Sequence, residues 1–181
     1  MDTNYEIHCE ITDKFAKWAA FSGTRSGCPI KARRDVYPLI QLPNYDFILS
    51  GDKPITKDVF NKWHRKASLA LLEQKPIITM GWATKIINLY LKTMVYVGQY
   101  GRPGLVEVIH PPIDQGLWRG LKGRYDDRKE ITSKIFCKAS IKSIIKYDDY
   151  KVIISGMELI AVMEECLLIE VEQFWKGTEY K

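Results

Sequence analysis

The sequence is poor in the residues that commonly hold metals. It has three histidines in 181 residues, and its four cysteines are widely separated, at Cys9, Cys28, Cys137 and Cys166. No Cys-x-x-Cys or Cys-x-x-His pair occurs, which argues against zinc and iron–sulfur centres. We therefore expect no metal site, and reduced thiols in a cytoplasmic protein are the simplest interpretation of the cysteines.

Long uninterrupted hydrophobic runs are also missing. The most apolar stretch, residues 152–171, contains four glutamates, Glu158, Glu164, Glu165 and Glu170. Such charges indicate a buried or amphipathic helix rather than a membrane span. The first fifteen residues contain neither the basic nor the apolar segment that secretory signals carry. The sequence thus predicts no membrane partner.

Strand patterns are weak, whereas apolar residues recur at helical spacing in several segments. This spacing predicts helices at residues 11–22, 55–74, 83–97, 127–146 and 149–175, and another that starts after Asp114 and ends near Gly123. Residues 22–54 are rich in Gly, Pro, Asn and Ser and are expected to form loops, with room for one short helix between them. We therefore predict an all-α fold, a compact helical domain formed by residues 1–181.

Charge is distributed unevenly along the chain, whose formal net charge is +5. Residues 119–151 contain ten Lys/Arg and five Asp/Glu, whereas residues 152–181 contain two Lys and six Glu. Lysines recur every four residues within the predicted helix 127–146, at Lys134, Lys138, Lys142 and Lys146. A row of this kind on one helix face would suit a DNA backbone, although it could equally be a solvated face or pair with the acidic last helix.

The segment MGWATKIINLYLKTM, residues 80–94, places Lys85 in the first turn of the predicted helix 83–97. The helix dipole and partial burial both disfavour a positive charge there, which favours the neutral, nucleophilic amine. Gly81 and Ala83 are expected to form a tight turn before the helix, with free N–H groups that could bind a phosphate. A structural lysine that extends its amine to solvent remains the alternative.

A second segment, HPPIDQGLW at residues 110–118, contains another candidate. Two prolines restrict the chain before Asp114, whose carboxylate is expected to cap the helix that follows. At a cleft, such a carboxylate can also act as a base or stabilise a cation. The nearby His110, like His64, is expected to be a packed or surface histidine.

Together, MGWATKIINLYLK and HPPIDQGLW resemble the helix-hairpin-helix DNA glycosylases, especially their 8-oxoguanine glycosylase branch. In that branch a glycine-containing hairpin ends in a Thr-Lys pair, an apolar helix follows, and a Pro-hydrophobic-Asp segment opens the next helix. A tryptophan four residues after the aspartate also occurs there, as Trp118 does here. The resemblance covers residues 76–121, within an expected hairpin and catalytic segment at 76–123. The sequence departs from the branch at Ala83, which replaces a hairpin glycine, and at Gly116, where histidine is common.

The resemblance implies an enzyme that flips a modified or damaged base out of double-stranded DNA and excises it, with a lysine Schiff-base (lyase) step. Lys85 would be the nucleophile and Asp114 the essential carboxylate. The DNA-binding groups would be the hairpin, which can also hold a monovalent cation, and the lysine row: Thr79, Gly81, Ala83, Lys134, Lys138 and Lys142. No other cofactor is implied, and a monomer is expected.

Aromatic residues are candidates for the walls of a base pocket, namely Trp82, Trp118, Trp63 and Phe60. Aromatic side chains more often belong to the hydrophobic core, so that interpretation stays open. Two alternatives to an enzyme also remain. One is a non-catalytic DNA-binding module that keeps the hairpin, and the other is a protein-interaction domain whose acidic and basic faces bind partners.

Overall fold

The computed structural model describes residues 3–177, and every regular element in this part of the chain is helical. The α-helices are α1 (Thr3–Ser22), α2 (Arg33–Gln41), α3 (Asp46–Leu49), α4 (Lys57–Gln74), α5 (Met80–Leu91), α6 (Gln115–Tyr125), α7 (Lys129–Ile135) and α8 (Tyr147–Met163). A π-helical turn (Lys92–Val97) continues α5, and two 3-10 helices span Ile141–Ser143 and Leu168–Phe174. The predicted all-α fold is confirmed.

Helix α5 lies at the centre of the fold because nearly all of its surface is apolar. Eleven of its twelve residues are buried. Helices α1 and α4 pack along it, and α8 and the 3-10 helix Ile141–Ser143 contact it from other sides. Full burial of its large apolar side chains, such as Ile86, Ile87 and Leu91, stabilises the fold by roughly 1.5–3 kcal/mol each.

Several predicted boundaries need correction. Helix α1 extends the predicted helix 11–22 back to Thr3. Within the loop-rich region, α2 lies where the sequence leaves room for a short helix, and α3 is a further one. The predicted helix 149–175 is divided, because α8 ends at Met163 and Glu165 adopts a left-handed backbone conformation with φ of 51°. Within residues 3–177, no helix combines the length and the apolar character that a membrane crossing requires.

The predicted helix 127–146 does not form as one helix. Helix α7 ends at Ile135, and the chain turns before the 3-10 helix Ile141–Ser143. Ser140 starts this 3-10 helix, and its N–H donates to Ser143 Oγ at 3.0 Å. The local cap therefore competes successfully with continuation of α7.

The lysine row is consequently lost. Lys134 belongs to α7, Lys138 lies in the turn and Lys142 in the 3-10 helix. Lys138 instead forms an ion pair with Asp149 of α8, with Nζ and Oδ2 3.0 Å apart. The prediction that these lysines share one helix face is wrong.

Gly81 lies inside α5 and not in a turn before it. Residues 75–79 join α4 to α5, and Thr79 is the N-cap residue. The Gly81 N–H donates to the Ile144 carbonyl at 3.1 Å, and a Cβ at Gly81 would lie 2.1 Å from the Ile141 carbonyl oxygen. The glycine thus permits a close crossing of two helices. The predicted tight turn at Gly81 and Ala83 is wrong, and a helix-hairpin-helix element is not confirmed.

A buried polar cluster joins α4, α5 and α8. His64 shares hydrogen bonds of 2.9 Å with Asn88 Oδ1 and with the Tyr147 hydroxyl. The Tyr150 hydroxyl is 2.9 Å from Asn88 Nδ2 and 2.8 Å from His110 Nδ1. Because polar groups this deeply buried destabilise the fold unless they are hydrogen-bonded, the cluster favours one relative arrangement of the three helices.

Two glycine-to-alanine substitutions should have opposite effects on stability. In Gly81→Ala the added methyl group meets the Ile141 backbone, so the free energy of unfolding should fall by about 1–3 kcal/mol. Gly123 lies in α6 with nothing within 4 Å of its Cβ position, so Gly123→Ala should stabilise by about 0.5–1 kcal/mol. Thermal and urea unfolding measure both changes, and a stabilised Gly81→Ala would contradict the close crossing.

The buried histidines should make stability depend on pH. Burial lowers the pKa of His64 from 6.5 to about 3 and lowers the pKa of His110 well below 6.5. As the pH falls below 6.5, the unfolded chain binds protons that the folded protein does not. The free energy of unfolding should therefore fall between pH 6.5 and about pH 3, by up to about 1.4 kcal/mol per pH unit for each histidine.

Urea unfolding at a series of pH values measures this slope. His64→Gln should reduce it, because the substitution removes one of the two buried imidazoles. A slope that stays the same in His64→Gln would contradict the assignment to the buried cluster.

Candidate active site

Lys85 and Asp114 meet in a cleft between α5 and α6. Lys85 Nζ lies 3.5 Å from Asp114 Oδ2, and the two side chains are 11% and 24% exposed. An ammonium group on an otherwise apolar, buried helix is unfavourable without an opposite charge. The Asp114 carboxylate supplies that charge from a segment 29 residues further along the chain.

The Asp114 carboxylate is held from its other side. Asp114 is the N-cap of α6, as the sequence predicts, and its Oδ1 accepts the Leu117 N–H at 2.9 Å. The same oxygen accepts the indole N–H of Trp175 at 2.9 Å. With Oδ1 engaged by two donors, Oδ2 is the oxygen that faces the Lys85 amine.

A cavity of about 460 Å³ opens at this pair. We call it the Lys85 cleft. Besides Lys85 and Asp114, it is lined by three tryptophans, Trp82, Trp118 and Trp175, and by a polar rim that includes Ser26, Gly27, Gln115, Ser140 and Lys142. Flat aromatic walls beside a lysine and a carboxylate suit a planar, polar ligand.

The two predicted pocket tryptophans that line this cleft are positioned in different ways. Lys85 Nζ lies 5.4 Å from the ring centroid of Trp82, within the range of a cation–π contact. The indole N–H of Trp118 donates to the Ile135 carbonyl at 3.1 Å, which fixes its ring at the end of α7. Both rings are at least 90% buried, so each shows a narrow face to the cleft.

Trp63 and Phe60 lie elsewhere. Trp63 packs against Tyr45 and Phe60, and its indole N–H donates to the Asn44 carbonyl at 3.0 Å. Phe60 is fully buried in the core. The prediction that these two residues form walls of the same pocket as Lys85 is therefore wrong.

The position of Lys85 within its helix also differs from the prediction. Since α5 begins at Met80, Lys85 is in the second turn, where the dipole effect of the helix N-terminus has largely faded. What makes the lysine unusual is its burial on the central helix, and its ion pair with Asp114 offsets that burial.

The predicted hairpin residues face the segment that follows α7. The Thr79 hydroxyl donates to the Ile141 carbonyl at 3.4 Å, the Gly81 N–H is bound as described above, and the Ala83 N–H donates to the Thr79 carbonyl at 3.0 Å. The N–H groups of Gly81 and Ala83 therefore already have partners. The Gly81 carbonyl, which belongs to the segment where the resemblance allows a monovalent cation, accepts the Thr84 hydroxyl at 3.1 Å.

Of the predicted DNA-binding lysines, Lys142 is the one that lines the cleft. It is exposed at the rim beside Gly27. Lys134 and Lys138 do not line the cleft. The positive charge at the mouth of the cleft thus comes from the crossing segment and not from a helical row.

Two titratable groups near the Lys85–Asp114 pair show that water has little access to this region. Burial raises the pKa of the Cys28 thiol, which a hydrogen bond from the Ile30 backbone and the charge of Lys85 partly offset. Burial also raises the pKa of the Glu172 carboxyl, although Lys92 binds it with Nζ and Oε1 2.7 Å apart. Lys92 and Glu172 lie in the adjacent cleft, which Trp175 separates from the Lys85 cleft.

Trp175 is the site residue that the sequence analysis missed. A Cβ at Gly116 would lie 2.5 Å from Trp175 Nε1, and a Cβ at Gly120 would lie 1.6 Å from the Phe174 carbonyl oxygen. The segment that carries Trp175 therefore packs onto α6 where two glycines occur one turn apart. This spacing was the available signal, because paired small residues on a helix face indicate a close neighbour.

Comparisons of the chain with protein-family models, with curated proteins and with solved structures gave no match. In the described part of the chain, no group of three or more His, Cys, Asp and Glu residues is arranged to hold a metal ion. The groups that the cleft itself presents are a lysine amine, a carboxylate and aromatic walls.

The Trp175–Asp114 hydrogen bond should contribute measurably to stability. Trp175→Phe keeps an aromatic ring on Gly116 but removes the indole N–H, so the free energy of unfolding should fall by about 1 kcal/mol. Trp18 on α1 is similarly exposed and stacks on Phe15, so Trp18→Phe is the matched control and should change stability by less than about 0.5 kcal/mol. Equal losses in the two variants would argue against the hydrogen bond.

Proposed function

We propose that the protein is a DNA glycosylase that excises a modified or damaged base and forms a Schiff base through Lys85. The observation that carries this proposal is the Lys85–Asp114 pair at 3.5 Å inside a cleft walled by three tryptophans. An amine nucleophile, a carboxylate and stacking surfaces are the three groups that removal of a flipped base requires.

The chemistry assigns a separate task to each group. Asp114 accepts a proton from the Lys85 ammonium and delivers it to the base, so that the carboxylate is ionised again as the neutral amine attacks C1′ of the nucleotide. The bond between C1′ and the base breaks, and the base leaves with the electron pair and the proton that Asp114 delivers. Asp114 stabilises the positive charge that develops on the sugar. The amine adduct then opens the sugar ring to give an iminium, and loss of the C2′ proton expels the 3′ phosphate, which cleaves the strand.

The cleft offers a basis for holding an extruded nucleotide. Trp175, which is 38% exposed, provides an aromatic surface on which a base can stack, a contact worth about 1–3 kcal/mol. Trp82 and Trp118 line the cleft beside it. Lys142 at the rim, with the exposed Arg25 next to the lining residues Ser26 and Gly27, would contact the phosphates of the strand. Because the N–H groups of Gly81 and Ala83 are engaged, these side chains take the role first expected of the hairpin backbone.

Borohydride trapping on DNA tests this function. The wild-type protein should form a covalent adduct with duplexes that contain an abasic site or a modified purine, and Lys85→Gln should form none. Asp114→Asn should keep the helix cap but lower the rate of adduct formation by about 10²-fold, because the developing positive charge loses its counter-charge.

Lys92→Gln is the matched control. Lys92 follows Lys85 by two helical turns and is also paired with a carboxylate, that of Glu172. This variant should trap as efficiently as the wild type. The proposal fails if the wild type neither forms an adduct nor releases a base from any duplex of the panel, or if Lys92→Gln loses as much activity as Lys85→Gln. Salt-dependent DNA binding without turnover would instead favour the non-catalytic DNA-binding module.

A further inference from the structure

The segment that leads to Asp114 has little backbone hydrogen bonding of its own. Pro111 and Pro112 have no N–H, and within residues 3–177 no backbone–backbone hydrogen bond involves residues 110–113. These four residues are nevertheless all buried. Side chains from other elements must therefore fix the path that brings Asp114 to Lys85.

The Asn88 side chain supplies that restraint. Its Nδ2 donates to the Pro111 carbonyl at 3.2 Å. Asn88 follows Lys85 by three residues on α5, and Pro111 precedes Asp114 by three. One hydrogen bond, about one helical turn from the ion pair, thus joins the two chain segments that carry the pair.

The orientation of the Asn88 amide is itself fixed by the buried polar cluster. His64 binds its Oδ1 at 2.9 Å, and Nδ2 also donates to the Tyr150 hydroxyl at 2.9 Å. The residue is 0% exposed. An apolar side chain of similar volume would pack at this position without any need for partners, so the amide is explained by the groups that it binds.

We infer that Asn88 is a positioning residue, which holds the Pro111 segment on α5 and so sets the distance between Asp114 and Lys85. Its effect on base excision rests on the proposed function, whereas its effect on the geometry of the cleft does not. The two consequences can be measured separately.

Asn88→Leu is the principal variant, because it keeps the approximate volume and removes the donor. Two N–H groups report the position of the Asp114 carboxylate, the Leu117 amide and the Trp175 indole, since both donate to Oδ1. Their ¹⁵N and ¹H chemical shifts should move in Asn88→Leu. In single-turnover trapping, the rate should fall by up to about 10²-fold, as expected for a misplaced reacting group, while the DNA dissociation constant stays within about twofold.

Tyr147→Phe is the control for general loosening of the cluster. It removes the Tyr147 hydroxyl, which lies 2.9 Å from His64 Nδ1 and 3.3 Å from the Asn61 carbonyl oxygen. The hydrogen bond between Asn88 and Pro111 is left in place. This variant should lose stability yet keep both reporter signals and the trapping rate. If Asn88→Leu does not fold, Asn88→Gln serves as the second variant, because it keeps an amide but moves it by one methylene.

The outcomes separate the two proposals. Reporter signals that do not move in the Asn88 variant, or that move equally in Tyr147→Phe, overturn the positioning role, whatever the activity. An unchanged trapping rate in an Asn88 variant whose signals have moved overturns the catalytic consequence. If the wild type neither forms an adduct nor releases a base, the glycosylase proposal fails, and the reporter signals still decide whether Asn88 positions Asp114.

Discussion

The burial of α5 is the constraint on which the rest of the structure depends. A helix with eleven of twelve residues buried needs partners for the charged and amide side chains that it carries, because little water reaches them. Thr84 binds the Gly81 carbonyl within the helix. Lys85 and Asn88 instead bind the segment that ends at Asp114: Lys85 pairs with the Asp114 carboxylate, and Asn88 donates to the Pro111 carbonyl. The polar residues of an apolar helix thereby determine which distant segment lies beside it.

Close contacts at glycine complete the arrangement. At Gly81 the 3-10 helix Ile141–Ser143 crosses α5 at a distance that a Cβ would prevent, and at Gly116 and Gly120 the segment around Trp175 does the same on α6. These crossings bring Ser140, Lys142 and Trp175 to the edge of the Lys85 cleft. The cleft is therefore built from segments that lie far apart in sequence, joined by polar contacts in the core and by glycine contacts at its edge.

The sequence predicts the parts of this arrangement that depend on local pattern. Apolar residues on all sides of 83–97 identify a central helix, and the two prolines before Asp114 identify a helix cap. Gly81 is misassigned to a turn because its role depends on Ile141, which no local pattern contains. The lysine row fails for a related reason, since helical spacing continues past Ile135 while the Ser140 cap and contacts with α5 redirect the chain. The role of Trp175 at the site is not predicted, because its contacts with Asp114 and Gly116 arise from tertiary packing and leave no pattern in the sequence around Trp175.

The contact of Trp175 with Asp114 has a consequence for the order in which the cleft can form. Sixty-one residues separate the two, so a chain growing on the ribosome presents Lys85 and Asp114 well before the residue that closes the wall beside them. A domain generally folds as a unit. A chain that ends before Trp175 therefore lacks one wall of the cleft even though it contains Lys85 and Asp114, and among the described elements the 3-10 helix Leu168–Phe174 is the last to be synthesised.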